Sequence, residues 1–199
     1  MKLGATDVGD PSEEARHELK RRLGPGARFD SDHAPGDELL LARRGTAYFA
    51  RKLNEISDEE LTMPSLIAGW TRRHIVADVS YQARHLARIA EAARLGHDRE
   101  VLVEPENKNE DLHLAATLPA QALRYLFRHS EVHLNVEWRD LSDEQWGARV
   151  LTLNGSTTVV RQTPSTRAVK IWTSALSLGN GGSLDDLPNQ LRQFVPTLK

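Results

Sequence analysis

The sequence predicts an all-α protein: a four-helix bundle with one short β-hairpin between its third and fourth helices. Three observations carry that prediction. Four long segments repeat apolar residues at spacings of three and four, as helices with one buried face do. Helix-capping residues or glycines stand where those segments begin or end. The stretch Leu53-Asn54-Glu55-Ile56-Ser57-Asp58-Glu59-Glu60-Leu61 is echoed by Trp138-Arg139-Asp140-Leu141-Ser142-Asp143-Glu144-Gln145-Trp146. Each copy closes an odd-numbered helix, as expected of two similar helical units related by a pseudo-twofold axis.

The first helix spans about 37–56, with Leu39, Ala42, Thr46, Phe49, Leu53 and Ile56 along one stripe. A loop rich in turn formers, Ser57 to Gly69, leads to Thr71, the N-cap of the second helix. That helix reaches Leu95 and stops at Gly96, with Ile75, Val79, Gln82, Leu86, Ile89 and Ala93 inward. Residues 97–117 show charge, a proline and no period, and read as a long connection. The third helix, about 119–141, carries Leu123, Phe127, Ser130, Leu134, Trp138 and Leu141. Asn154-Gly155 between β-branched runs signals a tight hairpin, because a type I′ turn needs positive φ at both central residues. The fourth helix starts near Ser165, turns Ala168, Ile171, Ala175 and Leu178 inward, and ends at Gly179. A short helix over about 187–194 closes the chain.

Residues 1–36 differ in composition: two Gly-, Pro- and Asp-rich stretches flank a helical candidate running from Glu13 to Leu23. They read as a partly ordered extension, with residues 37–199 forming the bundle. The 199-residue chain is long enough to bury a core without staples, and it contains no cysteine, which excludes disulfides and thiolate chemistry of its own. Its 26 Lys and Arg against 28 Asp and Glu give no basic footprint, so nucleic acid is not an expected partner. No apolar run is long enough to span a bilayer, and the N-terminus lacks a signal-peptide core, so a cytoplasmic location is expected without membrane association. A homodimer is left open.

The chemistry-bearing residues sit on the helices. On the second helix His74, Asp78, Gln82 and His85 share one edge that overlaps the buried face. A buried Asp is costly unless paired, so this edge lines a cavity or gives Asp78 a cationic partner, or else it emerges at the surface. Lys170 and Ser174 stand one turn apart on the fourth helix. His129 and His133 form an i, i+4 pair on the third helix that could grip a metal from one side, although two imidazoles alone are more often a surface feature. No phosphate loop, nucleophile elbow or H-E-x-x-H pair is present.

The segment Pro64-Ser65-Leu66-Ile67-Ala68-Gly69-Trp70-Thr71-Arg72-Arg73-His74-Ile75-Val76-Ala77-Asp78 resembles the P-S-x-x-x-G-W-T-x-x-H-x-x-x-H signature of the mycothiol-dependent maleylpyruvate isomerase family, within the DinB-like superfamily. Ser177-Leu178-Gly179 resembles the D-L-G ending of that family's fourth helix. The resemblance implies a DinB-like bundle that holds a divalent metal, usually zinc, and uses a low-molecular-weight thiol such as mycothiol for isomerisation or transfer. It also places the family's metal ligands at Asp78, Lys170 and Ser174, where the family has His, Glu and His. Lys is cationic and Ser a poor zinc ligand, so no bound metal is expected, and an Asp78–Lys170 ion pair is expected in its place.

Two functions follow from that resemblance. One is a divergent thiol-dependent isomerase or transferase acting on a small carboxylate-bearing molecule. In it Asp78, Lys170 and His74 would be catalytic, and Trp70, Gln82, His85 and Ser174 would bind the ligand. The other is a non-catalytic small-molecule or protein-interaction module on the same bundle. A relocated metal held by His129, His133 and Asp78 is a further alternative.

Overall fold

The first long helix, α1 (Gly36–Asn54), starts with Asp37 and Glu38 and ends with Arg51 and Lys52, a charge order that complements the helix dipole. The structure, a computed structural model, describes residues 29–96, 108–151 and 157–194, together with Glu18 and Arg21. After α1 come α2 (Arg72–Leu95), α3 (Lys108–Ala116), α4 (Ala120–Arg139), α5 (Asp143–Trp146), β1 (Arg149–Leu151), β2 (Thr157–Val159) and α6 (Thr163–Ser177). Short 3-10 turns lie at Glu60–Thr62, Val160–Gln162, Leu184–Asp186 and Asn189–Phe194. Among the described residues no helix is long and apolar enough to cross a membrane.

The four bundle helices are α1, α2, α4 and α6. They pack chiefly as α1 along α6 and α2 along α4, while α2 and α6 meet between the two pairs. The first bundle helix therefore zips with the last, and the second with the third. An exchange of the first with the third bundle helix, and of the second with the fourth, maps one tight pair onto the other, as the sequence echo implies. The echo is also local. Ser57 N donates to Glu60 Oε2 (2.8 Å) and Glu60 N to Ser57 Oγ (3.2 Å). Likewise Ser142 N donates to Gln145 Oε1 (2.8 Å) and Gln145 N to Ser142 Oγ (3.4 Å). Both copies are thus capping boxes, and each is followed by a fully buried anchor, Leu61 or Trp146.

The core falls into two apolar clusters. One contains Phe49, Ile75, Phe127 and Ile171, with the two phenylalanine rings 5.0 Å apart. The other contains Leu39, Leu86, Leu134, Trp138 and Ala168. Where the clusters meet, every bundle helix contributes polar side chains: Thr46, Gln82, Ser130 with Glu131, and Arg167 with Lys170. A polar layer therefore crosses the bundle at mid-height.

Several expectations need correction. The stretch 97–117 is not irregular throughout, because α3 occupies Lys108–Ala116 and buries Leu112, Ala115 and Ala116. Nine residues are too few to be helical by propensity alone, and tertiary packing supplies what periodicity could not reveal. The hairpin forms, but with Leu151 paired to Thr157 and Arg149 to Val159. That pairing leaves an odd number of residues between the strands, one out of step with a regular two-residue Asn154-Gly155 turn. The turn residues themselves lie outside the described residues. The fourth bundle helix begins at Thr163, two residues early, because Pro164 suits its first turn. The closing segment is a 3-10 turn anchored by Leu187 and Leu191.

Most of the predicted extension, including nearly all of its candidate helix, lies outside the described residues. Its last part, from Phe29 on, packs on the bundle. Ala34 joins the second cluster, and Asp30 carboxylate oxygens accept from Arg43 at 2.6 and 2.7 Å. Arg161 donates to the His33 carbonyl (2.7 Å).

Candidate functional site between α2 and α6

The Gly-Trp-Thr loop joins the start of α2 to the end of α6. Gly69 adopts φ +78, a left-handed conformation that favours glycine. Ser65 N and Oγ both donate to the Trp70 carbonyl (2.8 and 3.0 Å), and Leu66 N donates to Ser177 O (2.9 Å). Arg72 fixes the joint from the other side by donating to Leu178 O (2.8 Å) and Gly179 O (3.0 Å). These contacts hold the start of α2 against the end of α6, two or more helical turns from the polar layer.

Asp78 is buried on α2, with 4% of its side chain exposed, and forms an ion pair with Lys170 of α6. Lys170 is more open, with 31% of its side chain exposed, so the pair has a dry end and a wet end. Ser174, also buried, stands one turn beyond Lys170 on the same helix.

The neighbouring ion pair is deeper. Arg167 is fully buried; it pairs with Glu131 of α4 and donates to Val79 O (2.8 Å) and Gln82 Oε1 (2.8 Å) on α2. Glu131 also accepts from Thr46 of α1 (3.1 Å). Burial pushes the Glu131 carboxyl up, opposed by the Arg167 charge and the Thr46 hydroxyl. Arg167 keeps its charge, since a guanidinium is not deprotonated in proteins. One network therefore touches all four bundle helices.

His74 caps its own helix. Thr71 N donates to His74 Nδ1 (3.1 Å), so Nδ1 is the acceptor and the proton lies on Nε2. Nε2 then donates to His113 Nδ1 of α3 at 2.9 Å. Burial, and secondarily the charge of His113, lower the His74 pKa. The Trp70 ring lies 5.9 Å from the His74 ring on the outer side.

The structure thus brings Asp78 and Lys170 together and places Ser174 beside them. Gln82 sits one turn from Asp78 but faces Arg167, and His85 is half-buried one turn further along α2. His129 and His133 lie on α4 with ring centroids 6.4 Å apart, and the nearest acid to His133 is Glu137 (3.5 Å). Among the described residues no group of three or more His, Asp or Glu side chains comes together as a metal site, so Asp78 does not join that pair.

Sequence reasoning missed Arg167, Glu131 and His113. Arg167 sits one turn before Ile171 on the inward stripe, a position where a charged residue is itself a signal. Glu131 abuts the stripe residue Ser130 and offered a weaker cue. His113 lay within the stretch read as irregular.

Residues 42–173 match the family model described as the mycothiol maleylpyruvate isomerase N-terminal domain. Crystal structures of the mycothiol-dependent maleylpyruvate isomerase, one of them a histidine-to-alanine variant, superpose with a TM-score of 0.73 at 35% identity. The match covers 78% of this chain and 65% of theirs, so it spans just under two thirds of those proteins. No curated protein gave a significant match. With two thirds of its length matched by the model and the bundle geometry shared, the chain belongs to the mycothiol maleylpyruvate isomerase N-terminal domain family.

Proposed function

We propose that the protein is a metal-independent relative of the thiol-dependent isomerases, acting on a small carboxylate-bearing molecule at the wet end of the Asp78–Lys170 pair. The observation that carries this reading is the pair itself, buried at Asp78 and open at Lys170. These residues do not suit a resident divalent cation. A metal ion on the Asp78 carboxylate would have to displace an ammonium that is already there, with the Arg167 guanidinium close by. Lys offers no lone pair while protonated, and Ser174 supplies only a neutral hydroxyl.

In this reading Asp78 anchors the Lys170 ammonium beside the ligand carboxylate, and the pair works as acid and base: it supplies a proton to the negative charge that develops as the thiolate adds to the ligand, and recovers that proton as the thiolate leaves. Ser174 and the Trp70 loop bound the site, and the attacking thiol is supplied by a small molecule such as mycothiol, since the chain has no cysteine. His74 serves as a rigid cap whose two ring nitrogens are both engaged, so its contribution is positional. Gln82 acts from behind, through Arg167.

The same engagement favours a second reading, a binding module without turnover, because Asp78 and Lys170 satisfy one another without a ligand. Turnover of maleylpyruvate in the presence of mycothiol separates the two. Elemental analysis of the purified protein tests the metal-free assignment, which stoichiometric zinc would end. If activity is found, Asp78→Asn should abolish it, and full activity in that variant removes Asp78 from the mechanism. Ligand binding with no turnover selects the second reading.

A further inference from the structure

The His129–His133 pair is left unused by the site above, and it borders a cleft of about 550 Å³ between the outer faces of α2 and α4. That volume is within the range of small-molecule sites. Arg84 and Arg88, one turn apart on α2, form one wall; Tyr125, His129 and His133 on α4 form the other, over a floor that includes Leu126. The Tyr125 and His129 rings lie 6.0 Å apart and 29° from parallel, which makes a flat aromatic surface.

The charges in the cleft decide what it can hold. Among the described residues neither Arg84 nor Arg88 has an ion pair or a hydrogen bond. Among the described residues the acids nearby are Glu91, which lines the cleft, and Glu137, which accepts from Arg94 (3.0 Å) as well as facing His133. Among the described residues lining the cleft, one carboxylate, itself within the field of Arg94, thus stands against two guanidiniums and two imidazoles. A divalent metal on the histidines would face two fixed positive charges across the cleft, whereas an oxyanion would be welcomed by both walls. A guanidinium matches a carboxylate or phosphate with two parallel donors, and each imidazole can add another.

We infer that this cleft is a second ligand site, built for a small oxyanion, carboxylate or phosphate, carried on a flat or apolar body that rests on Tyr125 and His129. It lies roughly a quarter to a third of a turn around α2 from Asp78, by the 100° step of an α-helix. It is therefore separate from the Asp78–Lys170 pair and does not depend on the function proposed for it.

The test is a titration of the full chain, following the His129 and His133 ring signals by nuclear magnetic resonance, with inorganic phosphate and with benzoate as probes. Saturable shifts of both histidines are expected with at least one probe. Tighter binding of benzoate identifies the flat body as a contributor, and equal binding assigns recognition to the oxyanion alone. An Arg84→Gln/Arg88→Gln double variant, altered outside the core, should bind at least tenfold more weakly with an unchanged thermal midpoint. The ring signal of His74, one turn before Asp78 on α2, should not follow the same saturation curve, which keeps a failure at the other site distinguishable. Unsaturable drift with both probes, undiminished binding by the double variant, or stoichiometric zinc at the histidine pair would each overturn the inference.

Discussion

Arg167→Met is the perturbation whose consequence the structure specifies most closely. Met replaces the long side chain with one of comparable reach, so little cavity is left and the loss is chiefly electrostatic. Glu131 loses its counter-ion while only 11% of its side chain is exposed, and Val79 O and Gln82 Oε1 each lose a 2.8 Å donor. Removing one partner of a buried pair costs about 3–5 kcal/mol, because the remaining charge stays desolvated. In a chain of this size that corresponds to a fall of roughly 10 °C in thermal midpoint, at about 2–4 °C per kcal/mol. Urea unfolding at neutral pH measures it directly. The deficit should shrink in acid, where an unpaired Glu131 can take up a proton and become neutral. The double variant Arg167→Met/Glu131→Leu removes both charges and should recover to within about 1–2 kcal/mol of the wild type. A loss under about 1 kcal/mol in the single variant, or a double variant as unstable as the two singles added together, would refute the view that these groups form one coupled buried pair.

Three further outcomes follow from the same geometry. Lys170→Met should cost more stability than Asp78→Asn, about 2–3 against about 1 kcal/mol, because it strands a buried anion whereas the reverse change frees an ammonium that is already partly in water; urea midpoints in the opposite order would contradict the buried-and-open description. Gly45→Ala should destabilise by about 1–3 kcal/mol despite the better helix propensity of Ala, since a Cβ there would lie 2.6 Å from Ile171 Cγ2 and 2.7 Å from the Trp172 indole; a stabilised variant would show that α1 and α6 are less closely packed. Finally, His74 is held neutral when folded, so its contribution to stability is present above the ordinary histidine pKa, about 6.5, and is lost as pH falls below it towards the lowered folded value. Thermal midpoints should fall through that window, and less steeply in His113→Ala, which removes the partner of His74 Nε2; identical slopes would exclude the pair as the cause.

The apolar stripes were legible because burial obeys period. Leu39, Ala42, Phe49 and Leu53 on α1, and all six predicted positions along the third bundle helix and its exit, are buried. Three stripe residues failed to bury fully: Ala93 near the end of α2, and Thr46 and Gln82, which mark the polar layer. The ion pair of Asp78 with Lys170 could be anticipated because each residue alone is costly in the place where the motif alignment puts it. The deeper pair could not be anticipated that way. Arg167 and Glu131 belong to no motif, and only the meeting of α2, α4 and α6 shows that a residue one turn before Ile171 and another beside Ser130 face each other. Helix α3 was hidden for a related reason, since its nine residues take their order from contact with α2 and not from any pattern of their own.

The two pairs are also unequal in what they can do. Arg167 and Glu131 are closed off and touch every bundle helix, which suits a device that fixes helix register; that role would explain why a polar layer persists where a continuous apolar core would cost less. Asp78 and Lys170 share the same layer but reach water at one end. Only a charge pair with an open end can exchange protons with a ligand, so the proposed chemistry is assigned to Lys170 and the proposed fold specificity to Arg167. The distinction is measurable in one experiment. In Arg167→Met/Glu131→Leu, ligand binding and any turnover should survive if the helices keep their register. Loss of function without loss of stability in that variant would instead place the buried pair inside the mechanism.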